Sequence, residues 1–211
     1  MILQFAIDTP PLKDSLGICE AIREYVDIIE LGEGIIQRES MTALTKLKEL
    51  FPEKKVLADL KLMDEGYIAA VDAFGAGADI VTACIQADRG TCAGLVKAAK
   101  EMGKESWLGF IAIPPQDYAK YVDYVNELAP DYVCAHLGDD VYRWEDGRSA
   151  RKEMFLAIAK LNFKPKVVLS GGITPDDIPD ILACKPHHVN VGSYIGGADD
   201  PAAAAKIFKD A

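Results

Sequence analysis

One apolar strand ends in three charged residues: Val56-Leu57-Ala58-Asp59-Leu60-Lys61-Leu62-Met63-Asp64. Because side chains alternate along a strand, Asp59 and Lys61 are expected on one face and their apolar neighbours on the other. Opposite charges on the inward face of such a strand are costly to bury unless they pair, bind a metal or take part in a reaction. Asp64 follows just past the strand, where loops carry chemistry. A structural ion pair is the competing interpretation.

Short apolar segments alternate with helical periodicity along the whole chain. The predicted strands are Leu3–Asp8, Asp27–Leu31, Lys55–Lys61, Ile80–Ala83, Ser106–Ile111, Tyr132–His136, Lys166–Leu169 and His188–Val191. A segment with helical spacing follows each of them. This alternation predicts parallel strands, and eight such units close into an α/β (β/α)8 TIM barrel. We therefore expect residues 1–211 to form one barrel domain.

An open doubly wound sheet is the competing architecture. Such a sheet would carry a glycine-rich dinucleotide-binding turn after the first strand. The chain has Asp8-Thr9-Pro10-Pro11 at this position. The barrel is therefore favoured.

The composition narrows the classes of function. Hydrophobic residues make up 50% of the 211 and charged residues 27%, which is typical of a globular protein. The net charge of −10 argues against nucleic acid or an anionic membrane as partner. The five cysteines show no CxxC spacing and are expected to be free thiols in a reducing compartment. Because Met1–Asp8 lacks the features of a signal peptide, we expect a cytoplasmic protein.

Ionisable residues collect at the predicted strand ends, where barrels of this type have their active sites. Asp8, Glu30, Asp59 and Lys61 come from three successive strands. Carboxylates from neighbouring strands, Glu30 and Asp59, suit Mg²⁺, which binds one or two carboxylates and keeps its other positions for water and substrate oxygens. Lys61 beside them could stabilise negative charge or move a proton. A purely structural network explains one pair more readily than all four residues.

A glycine pair, Gly171-Gly172, follows predicted strand seven, and Gly192-Ser193 follows predicted strand eight. Ser170-Gly171-Gly172-Ile173-Thr174-Pro175 leaves strand seven and opens a helix with Thr as N-cap and Pro at the first helical position. Exposed backbone N–H groups at these two loops form the phosphate site that recurs in this fold. Glycine is also common in short turns, but two such turns at these strands favour phosphate. The predicted phosphate-binding residues are Gly171, Gly172, Gly192 and Ser193.

His136 ends the sixth predicted strand. A single histidine after an apolar strand is often a core residue, but its position opposite Asp59 and Lys61 around the ring makes it a candidate acid or base. His187 and His188 lie at the opposite, N-terminal end of strand eight and are interpreted as structural.

The motif Asp59-x-Lys61-x-x-Asp64, with Val26-Asp27-Ile28-Ile29-Glu30-Leu31-Gly32 upstream, resembles the orotidine 5′-phosphate decarboxylase suprafamily. The resemblance spans the chain and is strongest to the magnesium-dependent branch, the 3-hexulose-6-phosphate synthases and 3-keto-L-gulonate-6-phosphate decarboxylases. Glu30 separates the branches, because the orotidine decarboxylases have lysine at this position and use no metal.

The resemblance implies a lyase that acts on a sugar phosphate through a 1,2-enediolate held on Mg²⁺. A synthase adds formaldehyde to ribulose 5-phosphate, whereas a decarboxylase releases CO₂. The metal ligands would be Glu30 and Asp59, and the catalytic residues Asp8, Lys61, Asp64 and His136. The resemblance also implies a homodimer in which Asp64 reaches the neighbouring subunit's site.

The chain departs from this family at three positions. Gly109 stands where a carboxylate on strand five is usual, and Glu33 stands where a small hydroxyl residue is usual. Asp139 occupies the decarboxylase's arginine position, which argues against the keto-gulonate substrate. The segment Val141–Arg148 is longer and more charged than the family's loop, and within it the aromatic part Tyr142–Trp144 is our candidate for setting specificity. A decarboxylase and a non-catalytic phosphosugar-binding barrel remain alternatives, while an epimerase, which uses two histidine ligands, is disfavoured.

Overall fold

Parallel strands close a barrel in this computed structural model, which describes residues 1–8, 11–144 (without the side chains of 142–144) and 147–211. Each strand pairs with its neighbours in sequence, and the last pairs with the first. The strands are β1 (Ile2–Ile7), β2 (Ile28–Leu31), β3 (Lys55–Leu62), β4 (Ile80–Cys84), β5 (Glu105–Gly109), β6 (Tyr132–His136), β7 (Lys166–Ser170) and β8 (His188–Val191). The predicted barrel class is confirmed.

Helices surround the barrel in the part of the chain that the structure describes. They are α1 (Leu12–Ala21), α2 (Glu33–Glu39), α3 (Thr42–Leu50), α4 (Gly66–Gly75), α5 (Arg89–Met102), α6 (Val122–Leu128), α7 (Asp139–Trp144), α8 (Gly147–Ala159), α9 (Ile178–Cys184), α10 (Ser193–Gly196) and α11 (Pro201–Asp210). Short 3-10 helices cover Pro115–Tyr121 and Pro175–Asp177. None of the described helices has the length and apolar character that crossing a bilayer requires.

The prediction of one helix after each strand is wrong in three places. The segment after β2 forms two helices, α2 and α3, because the chain turns at Ser40, which has a φ of 63°. β6 and β8 are also each followed by two helices, because the short helices α7 and α10 precede α8 and α11. The sequence did not indicate α7 and α10, since they carry too few apolar residues to show a periodic pattern. Thr9 and Pro10, which follow β1, and residues 145 and 146 lie outside the described residues, and so do the side chains of the candidate specificity segment Tyr142–Trp144.

The barrel interior has an apolar layer towards the N-terminal ends of the strands and a polar layer towards their C-terminal ends. The apolar layer is a buried cluster of Ile28, Leu57, Ile80, Trp107, Tyr132, Cys134 and Val168. Because strand side chains alternate, the residue two positions beyond Ile28, Leu57 or Ile80 faces inward as well. These residues are Glu30, Asp59 and Thr82. The strand pattern therefore brings both predicted metal ligands to the C-terminal mouth of the barrel.

β3 departs from regular geometry where its charges lie. Its register with β4 shifts between Ala58 and Leu62, and Lys61 has a φ of 45°. A non-glycine residue in this region costs about 1–3 kcal/mol and persists only where its surroundings hold it. Here the Lys61 N–H donates to Thr82 Oγ1 at 2.9 Å. The register of β3 is therefore irregular next to its charged residues, while Lys61 Nζ still reaches Asp59, in agreement with the common face predicted for the two side chains.

Candidate active site

Asp59 and Lys61 meet at the mouth of the barrel. Lys61 Nζ donates a hydrogen bond to Asp59 Oδ2 and lies 3.0 Å from Oε2 of Glu33, the first residue of α2. Thr82 Oγ1 donates to Asp59 Oδ1 at 2.7 Å. Burial alone would lower the pKa of Lys61, but the charge and hydrogen bond of Asp59 raise this pKa above its ordinary value. Lys61 is therefore an ammonium ion at neutral pH.

Glu30 lies beside this pair with one oxygen held and the other free. Gln4 Nε2 and Asn190 Nδ2 both donate to Oε2, the latter at 2.7 Å. Oε1 accepts no hydrogen bond from the residues that the structure describes. Burial, followed by the charges of Asp59 and Asp8, raises the pKa of Glu30 well above its ordinary value. The free oxygen thus belongs to a carboxylate that would be stabilised by a nearby cation.

Asp8 completes a cluster of carboxylates at the mouth. Its side chain fits between two glycines: a Cβ on Gly192 would lie 3.2 Å from Asp8 Oδ2, and one on Gly32 would overlap Oδ1. Solvent reaches Asp8, but the walls of the mouth surround it. This partial desolvation, followed by the charges of Asp59 and Asp139, raises the pKa of Asp8 to about 6. Gly192 therefore makes room for Asp8 in addition to its predicted place in the phosphate loop.

The raised pKa of Asp8 predicts a pH-dependent effect of Asp8→Asn on stability. The folded-state pKa of about 6 exceeds the ordinary 3.8, so the unfolded chain releases the Asp8 proton at a lower pH than the folded protein does. Ionisation of Asp8 therefore lowers the free energy of unfolding as the pH rises from 3.8 to about 6. Asp8→Asn is thus expected to raise the urea midpoint of the metal-free protein at about pH 7.5 and to change it little at about pH 4. An equal shift at both pH values would contradict the assignment.

His136 ends β6 half-buried at the same mouth. Burial lowers its pKa, although the nearby charge of Asp59 acts in the opposite direction. The imidazole is therefore neutral at neutral pH and able to accept a proton. The structure thus places five predicted residues near one another in the mouth: Asp8, Glu30, Asp59, Lys61 and His136. Electrostatic interactions among their side chains connect all five.

The loop after β7 has the backbone geometry that a glycine pair permits. Gly171 and Gly172 have φ values of 105° and 60°. A Cβ on Gly171 would lie 2.7 Å from Leu137 Cβ and 2.8 Å from its backbone nitrogen, so no side chain fits there. Thr174 caps the following 3-10 helix in a capping box with Asp177, as predicted. Ser193 begins α10 after Gly192 in the other predicted phosphate loop.

Asp64 is the one predicted site residue that the structure does not place in the mouth. Its side chain is exposed, and Oδ1 accepts a hydrogen bond from Glu65 N at 2.7 Å. It lines a groove of about 390 Å³ with residues of α4 and α5. Met63 and Ile68 beside it are 53% and 60% exposed. Asp64 therefore faces solvent on the surface formed by α4 and α5.

The donor set of the mouth fits Mg²⁺. No group of three or more His, Cys, Asp or Glu side chains among the described residues is arranged to hold a metal ion alone. Mg²⁺ does not need such a cage, because it prefers one or two carboxylates together with water and substrate oxygens. Glu30, with its free Oε1, and Asp59 supply two carboxylates next to each other in the polar layer.

The structure adds Gln4, Glu33 and Asn190 to the predicted site residues. Gln4 is a buried polar residue on an otherwise apolar strand, and Asn190 is one of two buried polar residues on β8, so both were signals that the sequence offered. Glu33 was noted only as a departure from the family pattern, and a charged residue at the start of a helix is otherwise ordinary. Only its contact with Lys61 shows that it belongs to the mouth.

Comparisons with known proteins agree with this architecture. A model of the family described as orotidine 5′-phosphate decarboxylase / HUMPS matches residues 1–208. 3-Hexulose-6-phosphate synthase 3 of Staphylococcus saprophyticus is 37% identical over 211 residues, which cover 100% of this chain and 98% of that protein. A crystal structure of 3-hexulose-6-phosphate synthase has a TM-score of 0.91 at 36% identity and covers 100% of this chain and 99% of its own. A crystal structure of KGPDC from Streptococcus mutans has a TM-score of 0.85 at 24% identity, with 99% and 95% covered, which shows the fold alone.

Proposed function

The chain belongs to the orotidine 5′-phosphate decarboxylase / HUMPS family, and we propose that it is a Mg²⁺-dependent 3-hexulose-6-phosphate synthase. In this reaction ribulose 5-phosphate loses a proton from C1, and C1 then forms a bond to the carbon of formaldehyde. The aldehyde oxygen takes up a proton to give the hexulose phosphate. The observation that carries the proposal is the Asp59–Lys61 pair beside the half-free carboxylate of Glu30 in one mouth.

Lys61 supplies the positive charge that this chemistry needs. Deprotonation of C1 places negative charge on the substrate's C1–C2 oxygens. An ammonium held by Asp59 and Glu33 is already oriented for this charge, so little reorganisation is required when it develops. Its raised pKa keeps it protonated, which makes Lys61 an electrostatic stabiliser and not the base.

His136 and Asp8 are the groups suited to moving protons. Burial lowers the pKa of His136, so the neutral ring can take the proton from C1. The pKa of about 6 for Asp8 leaves it ionised at neutral pH yet close enough to accept and return a proton. We assign the C1 proton to His136 and the orientation of the substrate's hydroxyl groups to Asp8.

Glu30 and Asp59 would hold Mg²⁺, which when bound acts as a Lewis acid and stabilises negative charge on the substrate's oxygens. The backbone N–H groups of Gly171, Gly172, Gly192 and Ser193 would bind the phosphate at the far side of the mouth. Together these groups fix both ends of a phosphorylated pentulose.

Product analysis tests the proposed reaction against its alternatives. The metal-reconstituted protein is expected to form a hexulose phosphate from ribulose 5-phosphate and formaldehyde, with kcat of the order expected for an enzyme, about 1–1,000 s⁻¹. CO₂ release from 3-keto-L-gulonate 6-phosphate without formaldehyde dependence would assign the chain to decarboxylation. Tight binding of pentulose and hexulose phosphates without turnover would contradict both reactions.

The position of Asp64 supports the further proposal of a homodimer with shared sites. The exposed Met63 and Ile68 beside it form an apolar surface that a second copy of the chain could cover. If Asp64 acts in the neighbouring site, a mixture of inactive Asp64→Asn and inactive Lys61→Met chains regains activity, since each hybrid dimer has one complete site. No recovery, although co-purification of differently tagged chains shows hybrid dimers, would contradict this arrangement.

A further inference from the structure

A chain of hydrogen bonds runs through the barrel interior to Glu30. His187 Nδ1 lies 2.9 Å from His188 Nδ1, and His188 Nε2 lies 3.0 Å from Gln4 Oε1. Gln4 Nε2 in turn donates to Glu30 Oε2. His188 and Gln4 are fully buried, while His187 is half-buried at the N-terminal end of β8. These hydrogen bonds therefore connect the N-terminal end of the barrel with the Glu30 carboxylate at its mouth.

The donors and acceptors that these side chains carry determine which atom donates in each hydrogen bond of the series. Because Gln4 Nε2 donates to Glu30, its Oε1 must face His188 and accept an N–H from Nε2. A neutral imidazole carries only one N–H, so His188 Nδ1 is the acceptor and His187 Nδ1–H is the donor. Burial, followed by the charge of His187, lowers the pKa of His188 to about 3, so this ring is neutral at physiological pH.

The surrounding side chains leave His188 little freedom to turn. Its ring packs edge-on against Tyr132 at 5.4 Å between centroids and lies tilted against Trp107 at 5.6 Å. A ring fixed in this way holds its Nε2–H towards Gln4. Asn190, from the same strand, donates a second hydrogen bond to Glu30 Oε2 and one to Ser170 Oγ at 3.1 Å. Oε2 is thus held from two sides.

We propose that Gln4 and His188 are positioning residues that orient Glu30, holding Oε2 inside the barrel so that Oε1 faces the mouth as a ligand for a divalent cation. This inference rests on the proposed function, because it assigns the cation to Glu30. Neither residue contacts the substrate; both act through the carboxylate. Partners of this kind behind a metal ligand typically change metal affinity 10- to 100-fold when they are removed.

The alternative is that these polar groups only satisfy one another in the barrel interior. In that case their replacement lowers stability but leaves metal affinity unchanged. Ile80→Ala provides the matched control, because Ile80 is fully buried in the same interior layer and makes no side-chain hydrogen bond to this chain of residues. It is expected to destabilise the fold and to bind Mg²⁺ as the wild type does.

Calorimetric titration of the metal-free proteins with MgCl₂ separates the two interpretations. Gln4→Met keeps the length of the side chain but cannot donate, and we expect Mg²⁺ affinity to fall at least about tenfold. His188→Leu leaves Gln4 in place without its fixing partner, and we expect a smaller loss in the same direction. Unchanged affinity in both folded variants overturns the proposal. A wild-type protein that binds no Mg²⁺ contradicts the proposed function instead.

The protonation pattern supplies a test that does not depend on metal or activity. Long-range ¹H–¹⁵N correlation spectra of the wild-type imidazoles are expected to show His188 protonated at Nε2 and His187 protonated at Nδ1 across neutral pH. His187→Gln assigns the signals, since the resonances of His187 then disappear while those of His136 and His188 remain. Protonation of His188 at Nδ1 would reverse the chain and overturn the proposal even if the protein binds Mg²⁺.

Discussion

Asp59→Asn is expected to lower kcat about a thousand-fold or more while the protein remains folded. The substitution keeps the shape of the side chain but removes one of two carboxylates expected to hold Mg²⁺. It also removes the charge that raises the pKa of Lys61 and holds its ammonium in place. Because both effects act on the negative charge that develops during the reaction, the loss falls on kcat. Steady-state kinetics with ribulose 5-phosphate and formaldehyde at saturating MgCl₂ measure it.

Asp79→Asn is the matched control for this substitution. Asp79 is also a carboxylate paired with lysine, since it lies 2.7 Å from both Lys48 Nζ and Lys104 Nζ. It precedes β4 at the opposite end of the barrel and is expected to affect stability but not kcat. Equal losses of kcat in the two variants would show that ion pairing, and not the mouth, explains the effect.

Gly171→Ala is expected to destabilise the protein by about 3 kcal/mol or more. An alanine at a φ of 105° is strained, and its Cβ would overlap Leu137, which forces the loop after β7 to move. The same movement displaces the N–H groups assigned to the phosphate, so KM for ribulose 5-phosphate is expected to rise more than kcat falls. Urea denaturation and steady-state kinetics measure the two effects.

Gly103→Ala separates backbone strain from overlap. Gly103 has a φ of 64° at the end of α5, but a Cβ there would meet no atom within 4 Å. The substitution is expected to cost only about 1 kcal/mol and to leave KM unchanged. A Gly171→Ala variant no less stable than Gly103→Ala would contradict the packing argument.

The barrel could be predicted from the sequence because its signal is local. β6 and β8 have the predicted limits, Tyr132–His136 and His188–Val191, since each is a short apolar segment between turn residues. The helices were harder to predict: α7 and α10 have six and four residues, too few for a periodic apolar face. Their positions depend on the packing of the loops around the mouth, which no local pattern describes.

The sequence predicted those parts of the candidate site that depend only on which residues end the strands. Asp8, Glu30, Asp59, Lys61 and His136 were placed at one mouth by the rule that parallel strands end together. The contacts that orient them depend on register and could not be predicted. Asn190 meets Glu30 because β8, β1 and β2 pair in a closed ring. The register shift in β3 next to Lys61 is another feature that the sequence does not indicate.

Other expectations stay predictions. These are the roles of the individual site residues, Mg²⁺ as the cofactor, the homodimer, a cytoplasmic location, the absence of nucleic-acid partners and a single domain over residues 1–211. The proposed roles share one requirement, which is that the cation and Lys61 together make the C1 proton of ribulose 5-phosphate acidic.

Exchange of that C1 proton with solvent measures this requirement without formaldehyde. Proton NMR of ribulose 5-phosphate in D₂O with the Mg²⁺-loaded protein is expected to show loss of a C1 proton signal. Removal of the metal with EDTA should stop the exchange, and added MgCl₂ should restore it. Exchange that continues unchanged in EDTA, or aldol product formed at the normal rate in EDTA, would contradict the account.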